Sequence, residues 1–235
     1  MEIYDHIEML DLGLYLKDYG ILAISDTQIG YEESLNKQGI MLPRFQHKDL
    51  MKRVKKLVEI CRPGKIIING DLKHEFGRVS GTEWRYTLEL IDFLGEKAEL
   101  VLVRGNHDKT LGPIAEKKNL EIVDYYVVGD IYFCHGHEIP ENSDFKKAKA
   151  VIIGHEHPAI GLRENGRVER FKCFLRGKYK NKTLLVLPSF NLLTEGTDVL
   201  SEKLLSPFLK QNIKDFEVFV AADRIRSFGK IKELL

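Results

Sequence analysis

Short runs rich in Ile, Leu and Val alternate with longer amphipathic stretches in the first two-thirds of the chain. Runs of this length without polar alternation are typical of strands that are covered on both faces. The longer stretches carry apolar residues at helical spacing, for example Leu50, Val54 and Leu57 ahead of Pro63-Gly64, which ends a helix. The pattern predicts strands at 20–24, 65–69, 99–103 and 150–153, helices at 45–61 and 82–96, and a short helix at 110–118.

Turn signals dominate the remaining strand pattern. Gly129-Asp130 separates apolar segments at 121–128 and 131–134, and Asn165-Gly166 separates segments at 159–163 and 168–174, so each pair predicts a hairpin. Further strands are predicted at 183–187 and 216–220. Strand–helix alternation followed by antiparallel strands predicts an α/β fold of two packed sheets with helices outside.

Polar side chains follow five of the predicted strands at the point where each strand ends. Because strand ends meet at one edge of an open α/β sheet, these groups are expected to converge. The five segments are Asp26-Thr27-Gln28, Gly70-Asp71, Gly105-Asn106-His107-Asp108, His135-Gly136-His137 and Gly154-His155-Glu156-His157.

Carboxylate, amide and imidazole groups are ligands for divalent metals. Two such ions about 3.5–4 Å apart can hold a phosphate, activate a water and stabilise the leaving oxygen. Asp71 suits a bridging position between them, and the neighbouring glycines allow close approach of the backbone. His155 and His157 are two residues apart, so in an extended segment both would face the same way and serve adjacent ions.

Each motif taken alone has a plainer interpretation. Gly70-Asp71 and Gly105-Asn106 are also turn sequences, and paired histidines occur in solvated loops. The ordered set of five is more specific and favours a metal centre. His137 could exchange roles with His135, and His74 could contact substrate or simply lie in a loop.

In this order the motifs resemble those of the calcineurin-like metallophosphoesterase superfamily, whose pattern runs D-x-H, G-D, G-N-H-D/E, H and G-H-x-H. The segments IGYEESLNKQGIMLP, GDLKHEFG and LPSFNLLTEG resemble a prokaryotic branch of predicted phosphoesterases, some of which are associated with DNA-repair ligases. That association is an analogy that favours a nuclease. The resemblance implies a four-layer αββα sandwich of two mixed sheets, and we expect a single metallophosphoesterase domain over residues 1–235.

The resemblance also implies a role for each motif residue. His107 would face the scissile phosphate, stabilising its charge or protonating the leaving oxygen, and Asp108 would orient its imidazole. A metal-bound hydroxide would attack phosphorus in line. The first metal would be held by Asp26, Gln28, Asp71 and His157, and the second by Asp71, Asn106, His135 and His155.

Gln28 departs from the family pattern, which has histidine at this position. An amide oxygen binds Mg²⁺ or Mn²⁺ but is a poorer ligand than imidazole for softer ions. The first metal site is therefore expected to be weaker, differently selective or filled only with substrate. If Gln28 contacts only water, the alternative is a degenerate metal-binding protein that acts as a partner or scaffold.

Charge gives no general sign of nucleic-acid binding, because 36 Lys and Arg balance 35 Asp and Glu. Two basic stretches, at 48–56 and 170–182, either contact a phosphate backbone or form solvated faces. Phe171, Phe174 and Tyr179 lie in the second stretch and either stack on bases or belong to the core.

Three cysteines without a C-x-x-C pair fit a reducing compartment, and the N-terminus lacks a signal-peptide pattern. With no apolar run near the ~20 residues that cross a bilayer, we predict a cytoplasmic protein without membrane contact.

The favoured hypothesis is a two-metal phosphodiesterase or nuclease that uses Mn²⁺, with Mg²⁺, Ni²⁺, Fe²⁺ and Zn²⁺ as alternatives. A hydrolase for small nucleotide-like phosphoesters is the second hypothesis. The expected partner is a phosphoester substrate, with DNA or RNA considered, and a homodimer is considered as a source of selectivity.

Overall fold

The computed structural model describes residues 1–40, 45–75, 80–118, 120–164 and 167–235. The predicted turn Asn165-Gly166 and parts of the 29–43 and 70–77 segments lie outside the described residues. None of the helices in the described ranges has the length and apolar character needed to span a membrane.

The first sheet has seven strands in chain order. Its first four strands are antiparallel, and from the fourth onward the pairing is parallel. Its strands are β1 (Glu2–Tyr4), β2 (Ile7–Leu10), β3 (Gly13–Leu16), β4 (Ile21–Ile24), β5 (Lys65–Asn69), β6 (Glu99–Val103) and β7 (Glu121–Val123).

The second sheet is mixed and mostly antiparallel. Its strands are β8 (Tyr126–Val128), β9 (Ile131–Phe133), β10 (Ala150–Ile153), β11 (Pro158–Glu164), β12 (Arg167–Tyr179), β13 (Lys182–Val186), β14 (Thr197–Asp198), β15 (Glu217–Ala221) and β16 (Ile225–Lys230). The main path runs β14-β11-β12-β13-β10-β9-β8, and β15 pairs with β12 and β16. Two parallel pairs, β9–β10 and β10–β13, adjoin one another in this path, and a third, β11–β14, lies at its end.

The helices are α1 (Tyr31–Lys37), α2 (Gln46–Cys61), α3 (Gly81–Lys97), α4 (Gly112–Lys118), α5 (Ser143–Lys147) and α6 (Ile231–Leu234). Short 3-10 turns occupy Lys17–Tyr19, Asp108–Thr110 and Pro207–Leu209. Ser80 begins α3 as an N-cap, because its hydroxyl accepts a hydrogen bond from the Glu83 amide at 3.1 Å.

Three buried clusters separate four layers. On β5, Ile66 and Ile68 pack against α2 and α3, whereas Ile67 points the other way and packs against the second sheet. On β10, Ile152 faces the first sheet and Val151 faces outward, under Phe145 and Phe208. This alternation by two along strands confirms the predicted αββα sandwich.

The outer layer differs on the two sides. The first sheet is covered by α2 and α3, with 16 and 17 residues. The second is covered by α5 and α6, with five and four residues, together with the turn at Pro207–Leu209. Short helices suffice there because Phe145, Phe208 and Phe216 supply the apolar cover.

One predicted strand is wrong. Residues 121–128 do not form a continuous strand, because the chain leaves the first sheet after Val123 and enters the second at Tyr126. Asp124, a poor strand former, lies at the break and its carboxylate bonds Arg104 Nε at 3.0 Å. The hairpin of β8 and β9 around Gly129-Asp130 is confirmed, as is the antiparallel pairing of β11 with β12.

Candidate metal centre

The predicted ligands meet where the two sheets face each other. Asp26, Asp71 and Asn106 follow the parallel strands β4, β5 and β6. His135 follows β9, and the pair His155 and His157 follows β10. Both sets leave the carboxyl ends of parallel strands, which is why the two edges coincide.

Left-handed backbone marks these loops. Among the described residues, nine non-glycine residues have positive φ, and five of them are predicted ligands: Asp26 (55°), Gln28 (42°), Asp71 (50°), His155 (65°) and His157 (51°). This conformation costs roughly 1–2 kcal/mol per residue, so the surrounding contacts must impose it. The extended arrangement considered for His155 and His157 is therefore not present, and left-handed backbone at both residues directs their rings instead.

Three glycines allow the loops to approach each other. A β-carbon on Gly70 would collide with the His135 ring, one on Gly105 with the Asp71 carboxylate and amide, and one on Gly154 with the side chains of the first loop. Gly70 also has φ of 89°, which side chains rarely adopt. The close approach inferred from the Gly-Asp, Gly-Asn and Gly-His dipeptides is present in the structure.

One group of ligand atoms surrounds Asp71. The Oδ2 atom of Asp71 lies 3.3 Å from His135 Nε2, and Asn106 Oδ1 lies 3.1 Å from the same nitrogen. One ligand atom each from Asp71, His135 and His155 fall within 4.8 Å of one another. The structure thus brings together the set predicted for the second metal.

A second group surrounds Asp26, which is fully buried. Asp26 Oδ1 and His157 Nε2 face each other at 3.0 Å, yet neither atom has a hydrogen-bond partner. Two ligands held at ~2.1 Å and right angles on one ion lie about 3 Å apart, which matches this spacing. A shared cation satisfies both orphaned atoms, so these residues fit a metal ion.

Burial and charge set the protonation of the centre. Burial would raise the pKa of Asp26, but the facing imidazoles of His157 and His135 hold it well below its usual range. Burial would lower the pKa of His135, but Asp71 and Asp26 raise it to about 9. Burial and the charge of His135 lower the pKa of His155 to about 4, so that ring is a neutral donor. Metal binding here would displace a proton from His135.

Gln28 lies on the same loop and is 7% exposed. Its backbone N–H donates to the Asp71 carbonyl at 2.9 Å, and its backbone carbonyl accepts from Asn191 Nδ2 at 3.4 Å. It also borders a cavity of about 40 Å³ shared with Leu50 and Tyr86. These hydrogen bonds are to its backbone, so coordination by its side-chain amide stays a prediction.

Asp71 and His74 both contact His107. Its amide donates to Asp71 Oδ1 at 2.9 Å, its Nδ1 contacts the His74 carbonyl, and its Nε2 lies 3.8 Å from Asp71 Oδ2. The Asp108 carboxylate accepts instead from the amides of Gly105 at 2.9 Å and Leu72 at 3.1 Å. Burial and the charge of Asp71 raise the pKa of Asp108 to about 6. Asp108 therefore joins two site loops, while the His74 carbonyl orients the imidazole.

The structure distinguishes His135 from His137. His135 is 1% exposed and contacts Asp71 and Asn106, whereas His137 is exposed, with its ring 5.4 Å from the His135 ring. The preference for His135 as the inner ligand therefore agrees with its position.

Several supporting residues were not found from the sequence. Asn69 Nδ2 donates to the carbonyls of Cys134 at 3.0 Å and Ile152 at 3.3 Å, which ties the two sheets together under the site. Ser189 Oγ donates to the Asp26 carbonyl at 2.9 Å. The segment LPSFNLLTEG that contains Ser189 signalled only a family resemblance, and nothing local indicated this contact.

The second basic stretch is largely engaged with internal partners. Arg170 binds Glu202, Arg176 binds Glu217, and Lys182 Nζ donates to the carbonyls of Lys146 and Ala148. Phe174 is fully buried, and Phe171 packs against the apolar cluster that contains Phe145 and Phe208, so both belong to the core. By contrast, the lysines of α2 lie on its exposed face.

Comparison with known proteins gives the family. The family model for calcineurin-like phosphoesterases matches residues 19–212, and no curated protein matches. Among solved structures, the nuclease MPE of Pseudomonas putida is 20% identical with a TM-score of 0.68, covering 93% of this chain and 92% of that one. Vacuolar Protein Sorting 29 of Cryptosporidium parvum is 15% identical (TM-score 0.40, 89% and 97% covered). The phosphoesterase YfcE of E. coli is 13% identical (TM-score 0.39, 86% and 88% covered). With its matching motifs gathered at one sheet edge, the chain belongs to the calcineurin-like phosphoesterase family and is a metal-dependent phosphoesterase.

Proposed function

We propose that this protein hydrolyses phosphodiesters with two divalent metal ions, Mn²⁺ foremost. The observation that carries the proposal is the pair of facing, unbonded ligand atoms on Asp26 and His157, next to the cluster of Asp71, His135 and His155. Asp71 Oδ2, which lies 3.3 Å from His135 Nε2, suits the shared ligand. The mixture of carboxylate, amide and imidazole donors is one that Mn²⁺ accepts.

When bound, the ions would supply an activated water and neutralise charge on the phosphate. The protein's own contribution centres on His107. The contact of its Nδ1 with the His74 carbonyl fixes the ring, and its Nε2 side would assist departure of the leaving oxygen. The hydrogen bond from its amide to Asp71 fixes the imidazole loop to the loop of the shared ligand.

Charge around the centre favours a diester over a monoester. A phosphomonoester carries a second negative charge, which binding sites commonly meet with an additional Arg or Lys. Two lysines behind the described part of the centre have ammonium groups committed to main-chain carbonyls, whereas Lys109 acts on His137 from the exposed side. Lys73 Nζ donates to the His107 carbonyl at 2.8 Å, and Lys172 Nζ donates to the Ser189 carbonyl at 2.7 Å.

A nucleic-acid substrate is the second candidate. The exposed lysines of α2 and the shared fold of the Pseudomonas putida nuclease favour it. The balanced net charge and the internal pairing of the 170–182 stretch weigh against it. Polyanion binding weakens steeply with salt, so cleavage of a DNA or RNA oligonucleotide between 50 and 200 mM salt separates it from a small diester substrate.

The primary test is hydrolysis of bis-p-nitrophenyl phosphate and p-nitrophenyl phosphate after metal stripping and Mn²⁺ addition. We expect the diester to be cleaved faster than the monoester, with no activity in Asp71→Ala. A preference for the monoester would refute the proposed diesterase. An inactive wild type that gains activity in Gln28→His would instead identify a degenerate site.

A further inference from the structure

Lys172 lies in β12, is half-buried, and is not one of the predicted metal ligands. Its Nζ donates to the Ser189 carbonyl at 2.7 Å and also to the Asn191 carbonyl. Within the described ranges it makes no ion pair with a carboxylate. Removing a cation from water is costly unless it is well paired, and the acid that acts most strongly on Lys172 is Asp26.

Residues 189–191, which Lys172 contacts, form hydrogen bonds to the loop at residues 25–28. This loop carries Asp26 and Gln28, two of the ligands predicted for the first metal. Phe190 N donates to the Ser25 carbonyl at 2.8 Å, and Asn191 N donates to the Asp26 carbonyl at 3.1 Å. Ser189 Oγ donates to that same carbonyl at 2.9 Å. Asn191 Nδ2 donates to the Gln28 carbonyl at 3.4 Å. Residues 189–191 thus make four hydrogen bonds to this loop.

That loop needs an external restraint. Asp26 and Gln28 both have left-handed backbone, with φ of 55° and 42°, which non-glycine residues leave when they are free to relax. One side of the loop is held by the neighbouring strand end, through bonds from Ser25 Oγ to the Asn69 carbonyl at 2.8 Å and from Asp26 N to the Gly70 carbonyl at 3.0 Å. Segment 189–191 supplies the restraint on the other side, and Lys172 holds that segment.

We propose that Lys172 is a positioning residue for the first metal site. Its ammonium group fixes residues 189–191, and these fix the backbone that presents Asp26 and Gln28 to the ion. The inference rests on the proposed metal centre and adds a residue that touches neither metal nor substrate. A purely electrostatic role has the opposite sign, because removing a cation near Asp26 would strengthen the binding of a second cation.

Lys182 provides a matched control. Lys182 is buried, and its Nζ likewise donates to two main-chain carbonyls, those of Lys146 at 2.8 Å and Ala148 at 2.6 Å. Those acceptors belong to α5 and its end, on the outer side of the second sheet. Loss of either ammonium group should lower stability, but only loss of Lys172 should alter metal binding.

The experiment measures Mn²⁺ binding to the metal-stripped full chain by isothermal titration calorimetry, alongside thermal unfolding, for wild type, Lys172→Met and Lys182→Met. We expect both variants to have a lower Tm. Mn²⁺ affinity should fall roughly 10–100-fold in Lys172→Met, as is usual for groups that support metal ligands, and stay within twofold of wild type in Lys182→Met.

Unchanged or tighter Mn²⁺ binding in Lys172→Met would overturn the proposal while leaving the metal centre intact. A wild type that binds no Mn²⁺ would refute the metal centre and this inference with it. If Lys172→Met does not fold, Ser189→Ala removes one bond between the segment and Asp26. Unaltered Mn²⁺ affinity in that variant would then overturn the proposal.

Discussion

Replacing Gly105 with alanine should destroy the metal centre without unfolding the protein. The added β-carbon would lie closer than 3.0 Å to the amide nitrogen and the carboxylate of Asp71, a separation that real side chains essentially do not show. Because one of these atoms belongs to the backbone, a side-chain rotation cannot relieve the contact. The Asp71 loop must move by on the order of 1 Å, and misplacements of that size commonly reduce turnover about 10²-fold.

Gly95→Ala is the matched control, since a β-carbon at that exposed position of α3 meets nothing within 4 Å. It should leave activity unchanged and raise stability by roughly 0.5–1 kcal/mol, because alanine is the better helix former. The assay is Mn²⁺-dependent hydrolysis of bis-p-nitrophenyl phosphate, with circular dichroism to confirm folding. A folded Gly105→Ala enzyme with wild-type activity and Mn²⁺ affinity would refute the placement of Asp71 at the centre.

Four further outcomes are expected. His107→Gln should lower kcat by roughly 10²–10⁴-fold with unchanged Mn²⁺ affinity by calorimetry, whereas equal loss of both would contradict its assigned role. Asn69→Ala should lower the free energy of unfolding by about 1–3 kcal/mol in urea, since two buried carbonyls lose their donor. Mn²⁺ at 100 times its Kd should raise that free energy by about 2.7 kcal/mol in wild type but not in Asp71→Ala. Burial lowers the pKa of Lys172 from 10.5 to about 7, so the unfolded chain binds more protons between these values. Stability should therefore rise with pH across that window, with a smaller slope in Lys172→Met.

Most strands and the order of the site motifs could be predicted from the sequence. Runs such as 65–69 and 150–153 were bounded correctly because they are buried on both faces and leave no other periodicity to follow. The strands β1 to β3 were not predicted, since each spans only three or four residues and their polar positions obscure the pattern.

Local backbone and support contacts were beyond sequence reasoning. Nothing in the spacing of His155 and His157 signals left-handed φ, which depends on packing against loops distant in the chain. Lys172 lies in a basic stretch that is typical of a solvent-exposed face, yet its ammonium group donates hydrogen bonds to main-chain carbonyls. Such contacts join residues far apart in sequence, and a single sequence gives no sign of them.

The division of the ligands between the sheets has a consequence for metal choice. The ligands predicted on the loops of the first sheet are oxygen donors, from Asp26, Gln28, Asp71 and Asn106, whereas those predicted on the second are nitrogen donors, from His135, His155 and His157. Either predicted half alone would present a donor set of a single character, hard in one case and borderline in the other. The mixed donor set therefore requires both sheets, and we expect a metal preference that neither half would have by itself.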